Sequence, residues 1–127
     1  MYKSKHFADS EFLCRCGCGQ GREKMDDGFV LKLDKLRKEF GKPVNLSSAY
    51  RCPAHNSRVS STGSNGPHTT GRAVDIRTKG QDAWRLLQIA SELGFKGLGV
   101  AQKGAHGSRF LHVDDIAEGP RPWVWSY

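Results

Sequence analysis

The stretch HTTGRAVDI, residues 68–76, indicates how this chain folds and where its chemistry lies. Residues 73–77 have the short apolar pattern of a β-strand, in which Asp75 faces the side opposite to its apolar neighbours. A carboxylate on such a strand needs a partner, because burying a bare charge is costly. His68, at the end of the preceding polar loop, is a candidate partner.

A second stretch, FLHVD at residues 110–114, predicts another short strand whose alternation places His112 and Asp114 on one face. Two histidines and the Asp75 carboxylate on short elements, beside a flexible loop, suit a catalytic zinc site. Such a site has three protein ligands and one open position for water. Hydrogen-bonded histidines with an ion-paired aspartate remain the alternative on spacing alone.

Outward from these stretches, hydrophobic periodicity predicts two helices and five short strands. The helices are at 26–40 and 81–93, and the strands are at 44–50, 73–77, 96–102, 109–114 and 123–127. Residues 55–72 form a Ser/Thr/Gly-rich loop of a length that is usually functional. Residues 1–25 predict an irregular arm with one short helix capped by Ser10. We expect a single α+β domain over 1–127, with a small antiparallel or mixed sheet and helices on one side.

Composition limits the classes of function. The chain has 127 residues, is 37% hydrophobic, and has no apolar run long enough to span a membrane. Its start lacks the apolar segment of an ordinary secretory signal, so we expect synthesis in the cytoplasm. The net charge of +7 favours an anionic partner such as nucleic acid, a membrane surface or a cell-wall polymer, or else only keeps the protein soluble. The basic residues form no run and no recognised nucleic-acid motif.

Four cysteines leave several interpretations open. Cys14, Cys16, Cys18 and Cys52 are even in number, which allows disulfides, but the start of the chain favours a reducing compartment. The Cys-x-Cys-x-Cys spacing is tighter than the usual zinc spacing. Three states of these cysteines stay open at this point: free or buried thiols, a disulfide, and a second metal site.

Several motifs together resemble a known family. In order, they are SAYR at 48–51, HTTGRAVDI at 68–76, GFKGLGV at 94–100, FLHVD at 110–114 and GPRPW at 119–123. Over roughly residues 44–123 the chain resembles the zinc D-Ala-D-Ala carboxypeptidase family of peptidoglycan peptidases, whose fold resembles the hedgehog signalling domain. The arm SEFLCRCGCG, residues 10–19, resembles that of short phage-encoded, endolysin-like members.

The resemblance implies a set of functional residues. His68, Asp75 and His112 correspond to the ligands of Zn²⁺. Arg51 corresponds to a substrate-binding residue that helps to hold the carbonyl oxygen as it becomes negative, a task suited to a permanently charged guanidinium. Tyr50 and Ser48, which precede Arg51 in the same turn, are also expected to bind substrate.

Two residues are candidates for the general base of this site. Many related enzymes have an acid three residues before the last histidine, where this chain has Arg109. Asp114 is the expected substitute, since it lies about 6.6 Å from His112 along the same strand face. Asp114 has the alternative role of orienting His112. His106 is the next candidate, and Gly66 replaces a serine that is usual in the family.

Two further groups are assigned to structure. His55 and Asn56 are expected to shape the turn that presents Arg51. Trp123, Trp125 and Tyr127 share one strand face, and we expect them to pack in the core, with lining of a peptide groove as the alternative.

The sequence therefore predicts a monomeric zinc peptidase that cleaves peptide bonds in peptidoglycan stem peptides or cross-links. It would act on the cell wall as an endolysin or a virion component, without membrane insertion or nucleic acid. A non-catalytic, zinc-containing wall-binding module on the same fold is the alternative, favoured by the missing acid at Arg109.

Overall fold

A computed structural model describes residues 1–127. Its α-helices are α1 (Asp27–Phe40), α2 (Pro53–Val59) and α3 (Gly80–Glu92). Its strands are β1 (Asn45–Ser48), β2 (Ala73–Arg77), β3 (Gly97–Ala101), β4 (Phe110–Asp114) and β5 (Trp123–Ser126). Four short 3-10 helices lie at Asp9–Phe12, Arg22–Lys24, Pro67–Thr70 and His106–Ser108. No helix is both long and apolar enough to cross a membrane.

The five strands form one mixed sheet in the order β1-β2-β4-β3-β5. The pairs β1–β2, β2–β4 and β4–β3 are antiparallel, whereas β5 pairs in parallel with β3. The predicted α+β class with a small mixed sheet is therefore confirmed.

One face of the sheet carries the core. Helix α1 begins where the Asp26 side chain accepts a hydrogen bond from the Phe29 amide, and it ends at Gly41 with φ of 75°. Helix α1 packs on α3, and α3 packs on β4. The buried apolar side chains of both helices form one cluster with those of β2 and β4: Phe29, Leu33, Leu36, Leu86, Ile89, Val74, Ile76, Leu111 and Val113.

Three polar residues of β2 and β4 alternate with the core positions and lie on the opposite face of the sheet. Asp75 of β2 lies directly opposite His112 of β4, and Asp114 lies opposite Ala73. The strand alternation that builds the core thus also fixes the three polar side chains of the opposite face.

The N-terminal arm is held against α1 by one buried carboxylate. Asp34 accepts hydrogen bonds from the Tyr2 hydroxyl and the Ser4 hydroxyl, both at 2.7 Å, and from the backbone amides of Lys5 and His6 at 3.0 and 3.2 Å. The predicted short helix of the arm exists, but its N-cap is Ala8 and not Ser10.

Two other predictions about local structure are wrong. Residues 55–72 are not one loop, because α2 and the 3-10 helix Pro67–Thr70 occupy much of that range. Their proline starts were the missed signal, since proline is favoured at the first helical position. The aromatic residues at the C-terminal end of the chain do not pack in the core: Trp123 of β5 and Tyr127, which follows β5, are each about half exposed.

Candidate active site

The structure brings His68, Asp75 and His112 together on the polar face of the sheet, where all three are buried. Asp75 Oδ1 lies 3.2 Å from His68 Nε2 and 3.0 Å from His112 Nδ1. The three possible donor atoms lie within 4.8 Å of one another. The two strands supply one donor each by register, and the 3-10 helix before β2 supplies His68.

Each histidine uses its other ring nitrogen for a second contact. His68 Nδ1 lies 2.8 Å from the Ala49 carbonyl oxygen, and His112 Nε2 lies 2.7 Å from Asp114 Oδ2. Protons on His68 Nδ1 and His112 Nε2 would bond to these acceptors and leave the nitrogens near Asp75 to ligate a metal ion; without an ion, those nitrogens face the Asp75 carboxylate. This pattern of a carbonyl or carboxylate behind each imidazole is typical of metal-ligating histidines.

Asp114 is fully buried and fully occupied. Besides His112, it accepts hydrogen bonds from Arg121 Nε at 2.9 Å and Arg121 Nη2 at 2.8 Å, and from the Ile116 amide. Burial raises the pKa of Asp114, but the hydrogen bonds from His112 and Arg121 lower it to about 2. Gly97 of β3 makes room for this carboxylate, because a Cβ atom there would overlap it.

Charge compensation also governs the cluster itself. Burial raises the pKa of Asp75, yet hydrogen bonds from His112 and His68 hold it well below its usual range. Burial lowers the pKa of His112, but Asp114 and Asp75 raise it above its usual value. The carboxylates therefore stay ionised at neutral pH, which a cation-binding site requires.

A cleft of about 430 Å³ opens onto the cluster. Arg51 reaches into it, with Nη2 3.8 Å from Asp75 Oδ2 and Nη1 donating to Asn56 Oδ1 at 3.2 Å. Asn56 is itself buried, and its amide donates to Thr62 Oγ1 and to the Gly63 carbonyl. The guanidinium is thus held at the edge of the cluster and remains partly exposed to the cleft.

Aromatic side chains of the C-terminal strand form another wall of this cleft. Trp125 and Tyr127 line it together with Phe110. The Trp125 ring centre lies 5.0 Å from that of His112, and the Arg121 guanidinium lies 5.1 Å from the Trp125 ring centre. Gly99 of β3 accommodates the indole, since a Cβ atom there would lie 2.7 Å from it.

The donor set fits a zinc ion. Zinc binds histidine nitrogen and carboxylate oxygen at about 2.0–2.1 Å in tetrahedral geometry, which places neighbouring donors about 3.3 Å apart. The two donor distances from Asp75 Oδ1, 3.0 and 3.2 Å, are close to that spacing. Three protein donors beside an open cleft leave the fourth position to water or substrate, as in catalytic zinc sites.

A family model described as peptidase M15 matches residues 5–114 of the chain. The protein belongs to the peptidase M15 family. A search of curated proteins finds no match. M15 peptidases are zinc-dependent, so membership makes this chain a metallopeptidase by family, with the buried His-Asp-His cluster as its candidate metal-binding group.

Within this M15 domain, the two general-base candidates are not placed for that role. Asp114 has no exposed surface, and both of its oxygens already accept hydrogen bonds, so it fits the alternative of orienting His112. His106 is exposed and lines a separate cavity of about 550 Å³ beside Lys79 and Gln81. That cavity shares no lining residue with the cleft.

Two substrate-binding predictions also change. Tyr50 is buried within the core cluster, and Ser48 pairs with Asp75 across β1 and β2 at a register shift. Neither residue lines the cleft. Of the side chains in the Ser-x-Tyr-Arg turn only that of Arg51 lines the cleft, while the Ala49 carbonyl lies behind His68.

Sequence reasoning missed the roles of two contributors to the M15 site, Asn56 and Arg121, and gave the role of a third, Trp125, only as an alternative. Asn56 was assigned to shaping the turn, but its Oδ1 also accepts from Arg51. Arg121 lies in the quoted GPRPW motif, yet nothing in its spacing shows that it clamps Asp114. Trp125 was available as the groove-lining alternative for β5 and proves to line the cleft.

Proposed function

We propose that the protein is a zinc peptidase that hydrolyses peptide bonds in the stem peptides or cross-links of bacterial peptidoglycan. The observation that carries the proposal is the buried His68, Asp75 and His112 cluster at the floor of a cleft that also holds Arg51. A mixed nitrogen and oxygen donor set beside an open cleft suits hydrolysis better than a purely structural metal.

When bound by this cluster, zinc would polarise a substrate carbonyl and lower the pKa of water toward 7. The chain's own residues do the remaining work. Arg51 offers forked donors to a substrate carboxylate or to the oxygen that becomes negative. Asn56 restrains that guanidinium, so less side-chain freedom is lost when substrate binds.

Asp114 and Arg121 act through His112. The Asp114 carboxylate fixes the proton on His112 Nε2 and leaves Nδ1 free to ligate, while Arg121 prevents Asp114 from turning away. Trp125 and Tyr127 give an extended peptide an apolar wall and reduce access of bulk water on that side.

The proposed substrate agrees with the charge of the chain. A net charge of +7 attracts the protein to an anionic cell wall and raises the rate of encounter. We propose that the domain acts on the wall as a monomer, in the manner of an endolysin or a virion-associated peptidase.

The test is digestion of purified peptidoglycan by the zinc-loaded protein, with the products identified by mass spectrometry. Release of single alanine residues indicates a carboxypeptidase, and conversion of cross-linked to monomeric muropeptides indicates an endopeptidase. We expect chelator to stop the release and added zinc to restore it. The variant His68→Ala is expected to be inactive, and His6→Ala, which removes an exposed histidine far from the cleft, is its matched control. Full activity of His68→Ala in saturating chelator would overturn the proposal.

One observation favours a second candidate, a zinc-containing wall-binding module without turnover. Apart from the three donors, the cleft lining contains no carboxylate and no imidazole that could carry a proton. Wall fragments bound tightly in the presence of zinc, with no product after long incubation, would select this candidate.

A further inference from the structure

The three cysteines of the N-terminal arm converge on Cys52, which lies at the start of α2. Cys14 Sγ lies 3.4 Å from Cys16 Sγ, and Cys16 Sγ lies 3.6 Å from Cys52 Sγ. All four sulfur atoms, including that of Cys18, lie within 4.8 Å of one another. Residues 36 positions apart in the chain are thus gathered around one point.

The sulfur spacing is that of ligands around a common centre. Zinc binds thiolate at about 2.3 Å, so two sulfurs of a tetrahedral site lie about 3.8 Å apart. A disulfide would place two sulfurs about 2.05 Å apart and would gather them in pairs. Here Cys16 is nearly equidistant from Cys14 and Cys52, which is the arrangement of a shared centre.

The backbone resolves the tight Cys-x-Cys-x-Cys spacing. Gly17 and Gly19 both have φ of 83°, a left-handed conformation that other residues rarely adopt. A Cβ atom at either glycine would meet nothing within 4 Å, so the requirement is for the conformation and not for space. These turns, closed by a hydrogen bond from the Cys14 amide to the Gln20 carbonyl at 2.8 Å, aim successive cysteines toward the same point.

The surroundings favour a ligand role over free thiols. Cys14 and Cys52 are buried, and the Cys52 amide lies 3.4 Å from Cys14 Sγ, a donor aimed at sulfur. The cluster has no histidine or carboxylate member. Four sulfur ligands at tetrahedral spacing favour zinc or an iron-sulfur centre over hard cations. Because the four sulfurs surround one point, they fit a single zinc ion.

We propose that Cys14, Cys16, Cys18 and Cys52 bind a structural zinc ion, separate from the His-Asp-His cluster. This ion fastens the N-terminal arm to the start of α2. With four protein ligands the site is closed, so it stabilises the fold and performs no hydrolysis. Because Cys52 follows Arg51 directly, the ion also restrains the turn that presents Arg51 to the cleft.

The test is the zinc content of the full chain, purified under reducing conditions and measured by elemental analysis. We expect two zinc ions per chain in the unchanged protein. The double variant Cys16→Ser/Cys52→Ser is expected to retain one, held by the cleft. The double variant His68→Ala/His112→Ala is also expected to retain one, held by the cysteines. Ser10→Ala, an exposed change in the same arm, is the matched control and should retain both.

A second measurement covers the case in which the cysteine variant fails to fold. Cobalt is added to the His68→Ala/His112→Ala protein, where only the cysteine cluster remains. We expect intense sulfur-to-cobalt charge-transfer absorption and a lower melting temperature after strong chelation. This variant lacks the cleft ligands, so its result is independent of the peptidase proposal.

Three outcomes would overturn the proposal. The first is a single zinc ion per chain that is lost with His68 and His112. The second is four thiols that react freely with a thiol reagent while zinc is present in excess. The third is a chain mass that is lower by four hydrogens under reducing conditions, which would indicate two disulfides.

Discussion

Two groups of possible metal ligands lie in this small chain, and they differ in construction. His68, Asp75 and His112 stand on a rigid sheet and its adjoining 3-10 helix, with outer partners behind each imidazole and a cleft in front. The cysteine cluster lies in a glycine-rich turn of the arm, and only Cys52 comes from another element.

The difference shows how ligand type and support distinguish two uses of a metal. A site that must bind substrate leaves a coordination position open and fixes its few ligands through neighbours. A structural site that joins two segments has every coordination position filled by protein ligands. Its ligands can therefore lie on a turn. Four predictions test this contrast between a rigid site on the sheet and a cluster in the arm.

The largest effect is expected from removing one ligand of each cluster in turn and comparing the two variants. His112→Ala should reduce peptide hydrolysis to background while the protein stays folded. Cys52→Ser should lower the melting temperature and leave measurable hydrolysis, because it removes no cleft ligand. Hydrolysis rates and thermal unfolding are measured on both variants. If Cys52→Ser abolishes hydrolysis in fully folded protein, the separation of roles is wrong.

The next largest effect is expected at Asp114. Asp114→Asn keeps the shape but weakens the contact that orients His112, so metal affinity or activity should fall about 10–100-fold. Zinc affinity is measured by competition with a chelator of known strength. Asp115→Asn is the matched control, since Asp115 forms only a partly exposed ion pair with Lys32. Equal losses in both variants would contradict the positioning role.

A smaller effect is expected at Gly97. A methyl group there would overlap the Asp114 carboxylate, so Gly97→Ala should destabilise the fold by about 1–3 kcal/mol through overpacking. Urea unfolding measures the change. Gly107→Ala is the control, because a Cβ atom at Gly107 meets nothing within 4 Å. An unchanged midpoint for Gly97→Ala would show that Asp114 can move without cost.

The smallest effect is expected at Asp34 of α1, where the arm is held against that helix. Burial raises the pKa of Asp34, but hydrogen bonds from Tyr2, Lys5, Ser4 and His6 outweigh it and hold the pKa below its usual value. Because the folded pKa is the lower one, the stabilisation is present above the unfolded pKa of about 4 and is lost as pH falls through the folded pKa.

Asp34→Asn should therefore cost about 1–3 kcal/mol at pH 7 and progressively less in acid. Unfolding free energies of both proteins between pH 7 and pH 3 measure this convergence. Asp82→Asn, which removes an exposed ion pair with Lys42, serves as the control. A constant difference across this range would mean that the Asp34 charge contributes nothing.

Strand periodicity predicted much of the fold, because alternation records which residues are buried. Strand β2 matches its predicted range of residues 73–77, and β4 starts one residue later than predicted. Asp75 and His112 lie opposite each other because the same alternation operates on neighbouring strands. The position of His68 before β2 made it a candidate, but the resemblance to a family motif was needed to favour it as a ligand, since a residue in a loop has no period that reveals its direction.

The remaining features depend on contacts between distant segments. Tyr50 and Trp125 are both aromatic residues on or beside short strands, yet one is buried in the core and the other lines the cleft. An aromatic side chain beside a short strand does not by itself show which of these surroundings it has, because contacts with distant segments decide it. The occupation of Asp114 likewise depends on Arg121, whose approach follows from the path taken by residues 115–122.

The backbone of the short segment from Ala49 to Cys52 contacts His68 through two groups and Cys14 through one. The Ala49 carbonyl faces His68 Nδ1, the Arg51 amide donates to the His68 carbonyl at 3.1 Å, and the Cys52 amide faces Cys14 Sγ. If a metal ion in one cluster orders this segment, the other cluster binds its own ion more tightly. Thermodynamic linkage makes the effect reciprocal, so an ion in the cysteine cluster raises affinity at the cleft by the same factor as an ion at the cleft raises affinity in the cysteine cluster.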